Sequence, residues 1–350
     1  MTLPLPPRWA RRALLHPLFV LLGAVVFVVL LPPALLGLPW LLDGRRRPLR
    51  ALRLLEFAVV YLGLELIVIP LAGLTWVASG CGRATQAAAF IGFHDRLLAA
   101  VVELLVKVGS RLFLLRVEVK APAPMPGTRP LLVISRHAGL GHSLLLLHQL
   151  STEGGHRPRI VLSHSLQWDP MIDLVFNRLP MVFVDPDRGR RQSAVTRIRE
   201  VTSAMRPGDA LLIFPEGRHV TPQRRRHDIQ RLRRDGREQA ARRAEAIEHL
   251  MLPRTRGLQA ALAARSDLDV AVVAHAGLDE LLDVRAVWRA VARAKTLRLH
   301  WRSFVADSVP RDDRALSTWV FAQWQHMDAW VGAQRAALSP PQPGGAPGFV

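Results

Sequence analysis

The stretch RPLLVISRHAGLGHSLLLLHQL, Arg129 to Leu150, holds two apolar runs divided by a small-residue turn. The first run is short and ends at Ser135, as a buried strand does; the second is longer and reads as a helix. His137 therefore stands at the carboxyl end of a strand, and His142 at the start of the helix that follows. Outward from this unit the same alternation repeats. RIVLS leads into DPMIDLVFNRL, MVFVD into SAVTRIREVTSAM, and ALLIF into a long arginine-rich segment, before LDVAVVAHA closes the series. Strands alternating with helices predict an α/β fold with a mixed, mostly parallel sheet flanked by helices. In such sheets ligand chemistry collects where strands end and helices begin.

The first 82 residues differ from the rest. Pro17 to Leu42 carries no charge over 26 residues, and Phe57 to Gly82 carries only Glu65 over another 26. A helix needs roughly 20 apolar residues to cross a bilayer core, so both runs suffice. The pair, its length and the lack of a small-residue cleavage pattern argue against a signal peptide. Arginines flank both ends of the first run (Arg8, Arg11 and Arg12; Arg45, Arg46, Arg47, Arg50 and Arg53), and Pro32-Pro33 interrupts it. A hairpin dipping into one leaflet would keep every arginine on the same face. That arrangement is expected over two full spans.

The chain carries 47 basic against 28 acidic residues, a formal charge of +19. Only Lys107, Lys120 and Lys295 are lysines, so 44 of the basic residues are arginine. A GC-rich genome would by itself inflate arginine. Whatever the cause, such a surface draws anionic partners, and guanidinium suits phosphate. Cys81 is the only cysteine, which excludes an internal disulfide and a cysteine-rich metal site. His137, His142, His148, His156 and His164 lie close in sequence. A five-residue step, however, turns helical residues about 140° apart, so no metal is expected.

Three strand ends carry chemistry-bearing residues: SRHAG at Ser135 to Gly139, FVDPDRGR at Phe183 to Arg190, and FPEGR at Phe214 to Arg218. In that order, over about 80 residues from the histidine to the glutamate, they resemble the glycerolipid acyltransferase family, whose best-known members acylate 1-acyl-sn-glycerol-3-phosphate. The resemblance runs from about Leu131 to about Leu282, where VVAHAGLDELL is similar to the family's last block. FPEGR is the strongest match and FVDPDRGR the loosest. The family's first motif is H-x4-D; here the fifth residue after His137 is His142. A literal H-x4-D does occur, His164 to Asp169, but only about 50 residues before FPEGR. It is read as a decoy.

The resemblance implies transfer of an acyl group from a thioester to a lipid hydroxyl. A hydroxyl is a weak nucleophile at neutral pH, so a base must take its proton, and histidine titrates in the right range. His137 is the implied base, with His142 in the place of the acid that would orient it and steady its imidazolium. Backbone N–H groups around Gly139 and Gly141, at a helix N-terminus, are candidate oxyanion donors. Glu216, Gly217 and Arg218 are implied to bind the acceptor, with Arg188 or Arg190 on its phosphate. No cofactor is implied beyond the acyl-CoA or acyl carrier protein thioester as co-substrate. The expected partners are membrane phospholipids, a lysophospholipid acceptor and the acyl donor, with no nucleic acid. The expected location is the cell membrane, catalytic domain on the cytoplasmic side. A catalytically weak lipid-binding protein on the same scaffold is the alternative.

The expected organisation is a hydrophobic two-helix membrane segment at 1–83, a connecting helix at 84–120, an α/β domain at 121–310, a helix at 311–338 and a disordered tail at 339–350. Within the α/β domain, an arginine-rich insertion at 222–256 is read as an amphipathic helix that could lie on anionic headgroups. The tryptophans of the last helix, Trp319, Trp324 and Trp330, are expected in the core.

A neutral imidazole at position 142 can fix a tautomer but supplies no negative charge. For scale, replacing the orienting aspartate of a serine-protease triad by its neutral amide lowers kcat about 10⁴-fold. His142→Asp is therefore expected to raise acyl transfer. Unchanged turnover in that variant, with His137→Ala dead, would mean that another group already supplies the charge.

Overall fold

The computed structural model describes residues 5–36, 50–137, 139–184, 191–217, 220–279, 288, 291 and 294–338. Two long apolar helices open the chain, α1 (Arg8–Leu35) and α2 (Arg50–Ala78). Then come α3 (Ala88–Leu112), β1 (Leu115–Ala121), β2 (Leu131–Ser135), α4 (Leu140–His148), β3 (Arg157–Ser163), α5 (Pro170–Phe176), β4 (Val182–Val184) and α6 (Arg191–Ser203). The second half holds β5 (Asp209–Ile213), α7 (Pro222–Arg234), α8 (Glu238–Glu245), α9 (Arg256–Ala264), β6 (Asp269–Ala276), β7 (Lys295–Phe304) and α10 (Asp313–Leu338).

The strands form one sheet in the order β1-β7-β6-β2-β5-β3-β4. Every pairing is parallel except β6 with β7. β2 lies near the middle and is buried along its whole length. Its side chains alternate between two cores, as the pleat requires. Leu131 and Val133 join a layer with α3 and α4, while Leu132 and Ile134 join a layer with α6, α9 and α10. A strand buried on both faces explains the unbroken apolar run that opened the reading.

Two sequence expectations change. LRVEVKA, assigned to the connecting segment 84–120, is β1 itself, an edge strand of the sheet paired in parallel with β7. Its polar and apolar residues alternate, so it lacks the continuous apolar signature of the central strands. The arginine-rich insertion is two short helices rather than one. Their apolar residues face inward: Ile229, Leu232, Ala241 and Ala244 pack on one another, and Ile247 and Leu250 enter the main core. Its apolar face is thus consumed inside the protein and is not presented to a bilayer. Trp324 is fully buried in α10, and Trp319 and Trp330 pack around the same core.

The α1–α2 hairpin rests along the domain. α2 begins against it, where Arg53 donates to the Val291 carbonyl (2.7 Å) and the Phe57 and Phe113 rings stand 5.2 Å apart. In mid-helix Tyr61 bonds Asp169, and near the end Arg178 donates to Thr75 (3.0 Å). α1 packs on α2 through Gly23 and Phe27 and starts in a buried ion pair. Arg11 reaches Asp173 at 2.7 Å, and both are almost wholly excluded from solvent. The remainder of α1 exposes Leu18, Leu21, Val25 and Val28.

Removing one partner of a buried ion pair costs about 3–5 kcal/mol, because the other charge stays behind. Asp173→Ala is thus expected to loosen α1 from the domain, read as a lower melting temperature in detergent and faster proteolysis near Arg11. Unchanged melting and proteolysis would show that the apolar contacts alone dock the helix.

Candidate active site

The end of β2 is fixed from three sides. Ser135 Oγ donates to the Val273 carbonyl of β6 (3.0 Å). Arg136, although charged, is buried. Its guanidinium donates to the His275 carbonyl (2.8 Å) and bonds Asp279, and its own carbonyl meets His275 Nε2 at 3.1 Å. The backbone N–H of His137 then donates to Glu216 Oε2 at 2.9 Å. The His137 ring, half-buried, lies 4.9 Å from the Phe214 ring at a tilt of 35°. Two motifs 79 residues apart in sequence thus meet in one constellation.

Glu216 is the hinge of that meeting. Its second oxygen accepts from the Met251 N–H (3.2 Å), so one carboxylate ties the His137 loop to the segment after α8. It is only 2% exposed, which places it behind the loop rather than on the surface where an acceptor would lie. Burial pushes its pKa up to about 7, against the pull of Arg136 and the two backbone N–H groups.

Gly139 precedes α4 with φ +125° and ψ 171°, a conformation essentially confined to glycine. It lets the chain turn from strand to helix within two residues of His137. A Cβ at Gly141 would meet nothing within 4 Å, so that residue borders open space, and the first N–H groups of a helix have no partner within it.

His142 is turned inward. Its ring stacks on that of His275, centroids 4.2 Å apart and planes at 29°. Gly217 closes the FPEG turn with φ +71°, its N–H donating to the Phe214 carbonyl (3.1 Å). Arg254 is bound to the same turn. Its N–H donates to the Pro215 carbonyl (3.0 Å), and a Cβ on Gly217 would stand 3.2 Å from its guanidinium. Arg188 and Arg190, expected on the acceptor phosphate, and Arg218, expected to help bind the acceptor, lie outside the described residues.

The literal H-x4-D segment performs a structural task. Asp169 caps α5 through the Ile172 N–H (2.8 Å) and is bound by Tyr61 from the apolar hairpin, whereas His164 Nδ1 pairs with Gln167 (2.7 Å). No cluster able to hold a metal ion occurs among the described residues. Arg136, Asp279, His275 and Arg254 escaped the sequence reading. Although three of them lie within SRHAG and VVAHAGLDELL, nothing local marks their roles, because each acquires its place through a pairing 39 to 143 residues away.

Residues 116–274 match the family model described as Acyltransferase. No curated protein matches the chain. Among solved structures, the chain is similar to the 1-acyl-sn-glycerophosphate (LPA) acyltransferase PlsC from Thermotoga maritima. The two share 15% identity and a TM-score of 0.51, over 83% of this chain and all of that one. At that identity the likeness concerns the fold.

A carboxyl group whose pKa rises on folding takes up protons in the native state. Glu216's contribution is present below its ordinary value near 4.5 and is lost as pH rises through about 7. Glu216→Gln cannot ionise. It is expected to flatten the decline in melting temperature over that window, at the cost of one backbone hydrogen bond, about 1 kcal/mol. An identical decline in both proteins would place the ionisation elsewhere.

Proposed function

We propose that this chain, which belongs to the glycerolipid acyltransferase family, transfers a fatty acyl group from a thioester to the free hydroxyl of a lysophospholipid, with 1-acyl-sn-glycerol-3-phosphate as the preferred acceptor. The observation that carries the reading is the His137 N–H held at 2.9 Å by the FPEG glutamate, which puts a half-buried imidazole and the FPEG turn side by side.

In the proposed reaction His137 removes the hydroxyl proton as the oxygen attacks the thioester carbonyl. The C–O bond forms, and the carbonyl oxygen becomes an oxyanion that the N–H groups at the start of α4 are placed to stabilise. Collapse breaks the C–S bond, and the proton passes from His137 to the departing sulfur. Glu216 holds the loop; the acceptor's anionic head falls to the arginines, Arg254 beside Gly217 among them. α1 and α2 serve the substrate's hydrophobic part. Their packing along the domain from Arg53 to Thr75 supports a hairpin lying in one leaflet; in this reading the arginines flanking the hairpin put the site at the cytoplasmic face of the cell membrane. Acyl-CoA and acyl carrier protein both fit this chemistry as donors.

His142 favours a second reading, a scaffold that binds lipid and turns it over slowly, since position 142 carries no acid. One assay separates the two: acyl transfer by purified membranes across several lysophospholipids, beside His137→Ala. Removing a general base is expected to lower kcat about 10²–10⁴-fold. Equal product from both proteins rules out His137 as the base, and binding without turnover in the wild type leaves the second reading. Arg254→Ala is expected to raise KM for the phosphate-bearing acceptor about tenfold or more with kcat little changed, the worth of one charge-assisted contact. An unchanged KM would remove Arg254 from the acceptor site.

A further inference from the structure

The acid missing from position 142 leaves an electrostatic problem. His137 stands beside Arg136, a buried cation, and acyl transfer requires His137 to become a second cation. The groups packed around this point can be followed contact by contact. His142, at the start of α4, stacks on His275 of β6 at 4.2 Å. His275 Nε2 faces the Arg136 carbonyl, which can only accept, so Nε2 carries the hydrogen. Its Nδ1 is buried with no hydrogen-bond partner among the described residues, which is the neutral ring's bare lone pair. Burial, His142 and Arg136 all pull the His275 pKa down. The stack therefore brings no positive charge of its own through His275.

Asp279, three residues beyond β6, is mostly shielded from solvent. It binds the Arg136 guanidinium, and Arg335 of α10 approaches it at 3.3 Å. Burial alone would raise its pKa, but Arg136, His142 and Arg335 together hold it well below the ordinary carboxylate range. A fixed anion is thus built into the network behind the His137 loop. Glu216 is the other acid there, and burial makes it reluctant to ionise.

We propose that Asp279 is the positioning residue that replaces the motif aspartate. Its fixed negative charge, held against Arg136 and the buried His142–His275 stack, offsets Arg136 and stabilises the imidazolium that forms on His137. The proposal rests on the acyl-transfer reading above. It gives His142 a purpose: a flat ring that fills the motif position against His275, in a site whose carboxylate arrives from β6 instead of α4.

The test is a double-mutant cycle in purified membranes, with acyl transfer measured against pH. Asp279→Asn is expected to lower kcat about tenfold, with KM for the acceptor little changed and Asp279→Glu restoring most of the rate. With one anion fewer, the His137 imidazolium is less favoured, so the acid limb of kcat/KM should move to lower pH. Arg136, Arg335, Glu216, His142 and His275 face the same point and remain in every variant of this arm. In a His142→Asp background, where an acid has returned to the motif position, Asp279→Asn should cost less than about threefold. A purely structural role for Asp279 predicts equal losses in both backgrounds and an unmoved acid limb, and either result overturns the proposal. Because Asp279→Asn leaves Arg136 without its partner, melting temperatures accompany each variant. If that variant fails to fold, Arg335→Gln, which removes a cation from Asp279 together with the Arg335 contact to His249 (3.2 Å), should move the acid limb to higher pH, and no movement sinks the idea. Wild-type membranes that acylate no acceptor would defeat the acyl-transfer reading and this inference with it. Turnover indifferent to Asp279 defeats this inference alone.

Discussion

One carboxylate accepting two backbone N–H groups organises the site. Glu216 receives His137 N–H from the end of the central strand and Met251 N–H from the segment after α8. Those three pieces of chain share no local sequence relation, and the bond between them sets the position of the imidazole relative to the FPEG turn. Taking a carboxyl group out of water is costly unless its oxygens are satisfied, and two N–H donors do this while the glutamate remains nearly excluded from solvent. The residue that a motif reading assigns to substrate thereby gains a mechanical explanation. It is the strut on which the His137 loop is mounted.

The same economy governs several other buried charges. Arg136 is compensated by Asp279 and by the carbonyl of His275; Arg11 by Asp173; Arg159 by Asp95 and Asp209. Each pair joins elements remote in sequence. Arg159 links β3 to α3 and β5, and Arg11 links the apolar hairpin to α5. An arginine-rich chain thus spends part of its positive charge internally, as crossbraces, and does not present all of it to anionic surfaces. The arginine-rich insertion follows this logic too. Arg225 donates to the Ala244, Glu245 and Ile247 carbonyls, helping to fold α7 against α8.

The hairpin is mounted on the domain at several points. α2 touches α3 through Phe57, the α5 cap through Tyr61 and Arg178 through Thr75, so the position of the apolar helices relative to the sheet is set by packing and not by a tether.

The amino-acid sequence alone determined the central strand, the His137 turn and the apolar hairpin. Each is written in local periodicity, in glycine placement, or in the length of an uncharged run. It also carried enough of SRHAG and FPEGR to indicate the family. Only the tertiary structure decided the rest: that LRVEVKA is an edge strand, that the insertion's apolar side is internal, that Glu216 faces inward, that Arg136, His275 and Asp279 join in one network, and that Arg254 lies against the FPEG turn. Those facts depend on which distant segments share a wall of the core. A hydrogen bond or ion pair across 80 or 140 residues leaves no periodic trace, because either partner alone reads as one more polar residue at the end of a strand.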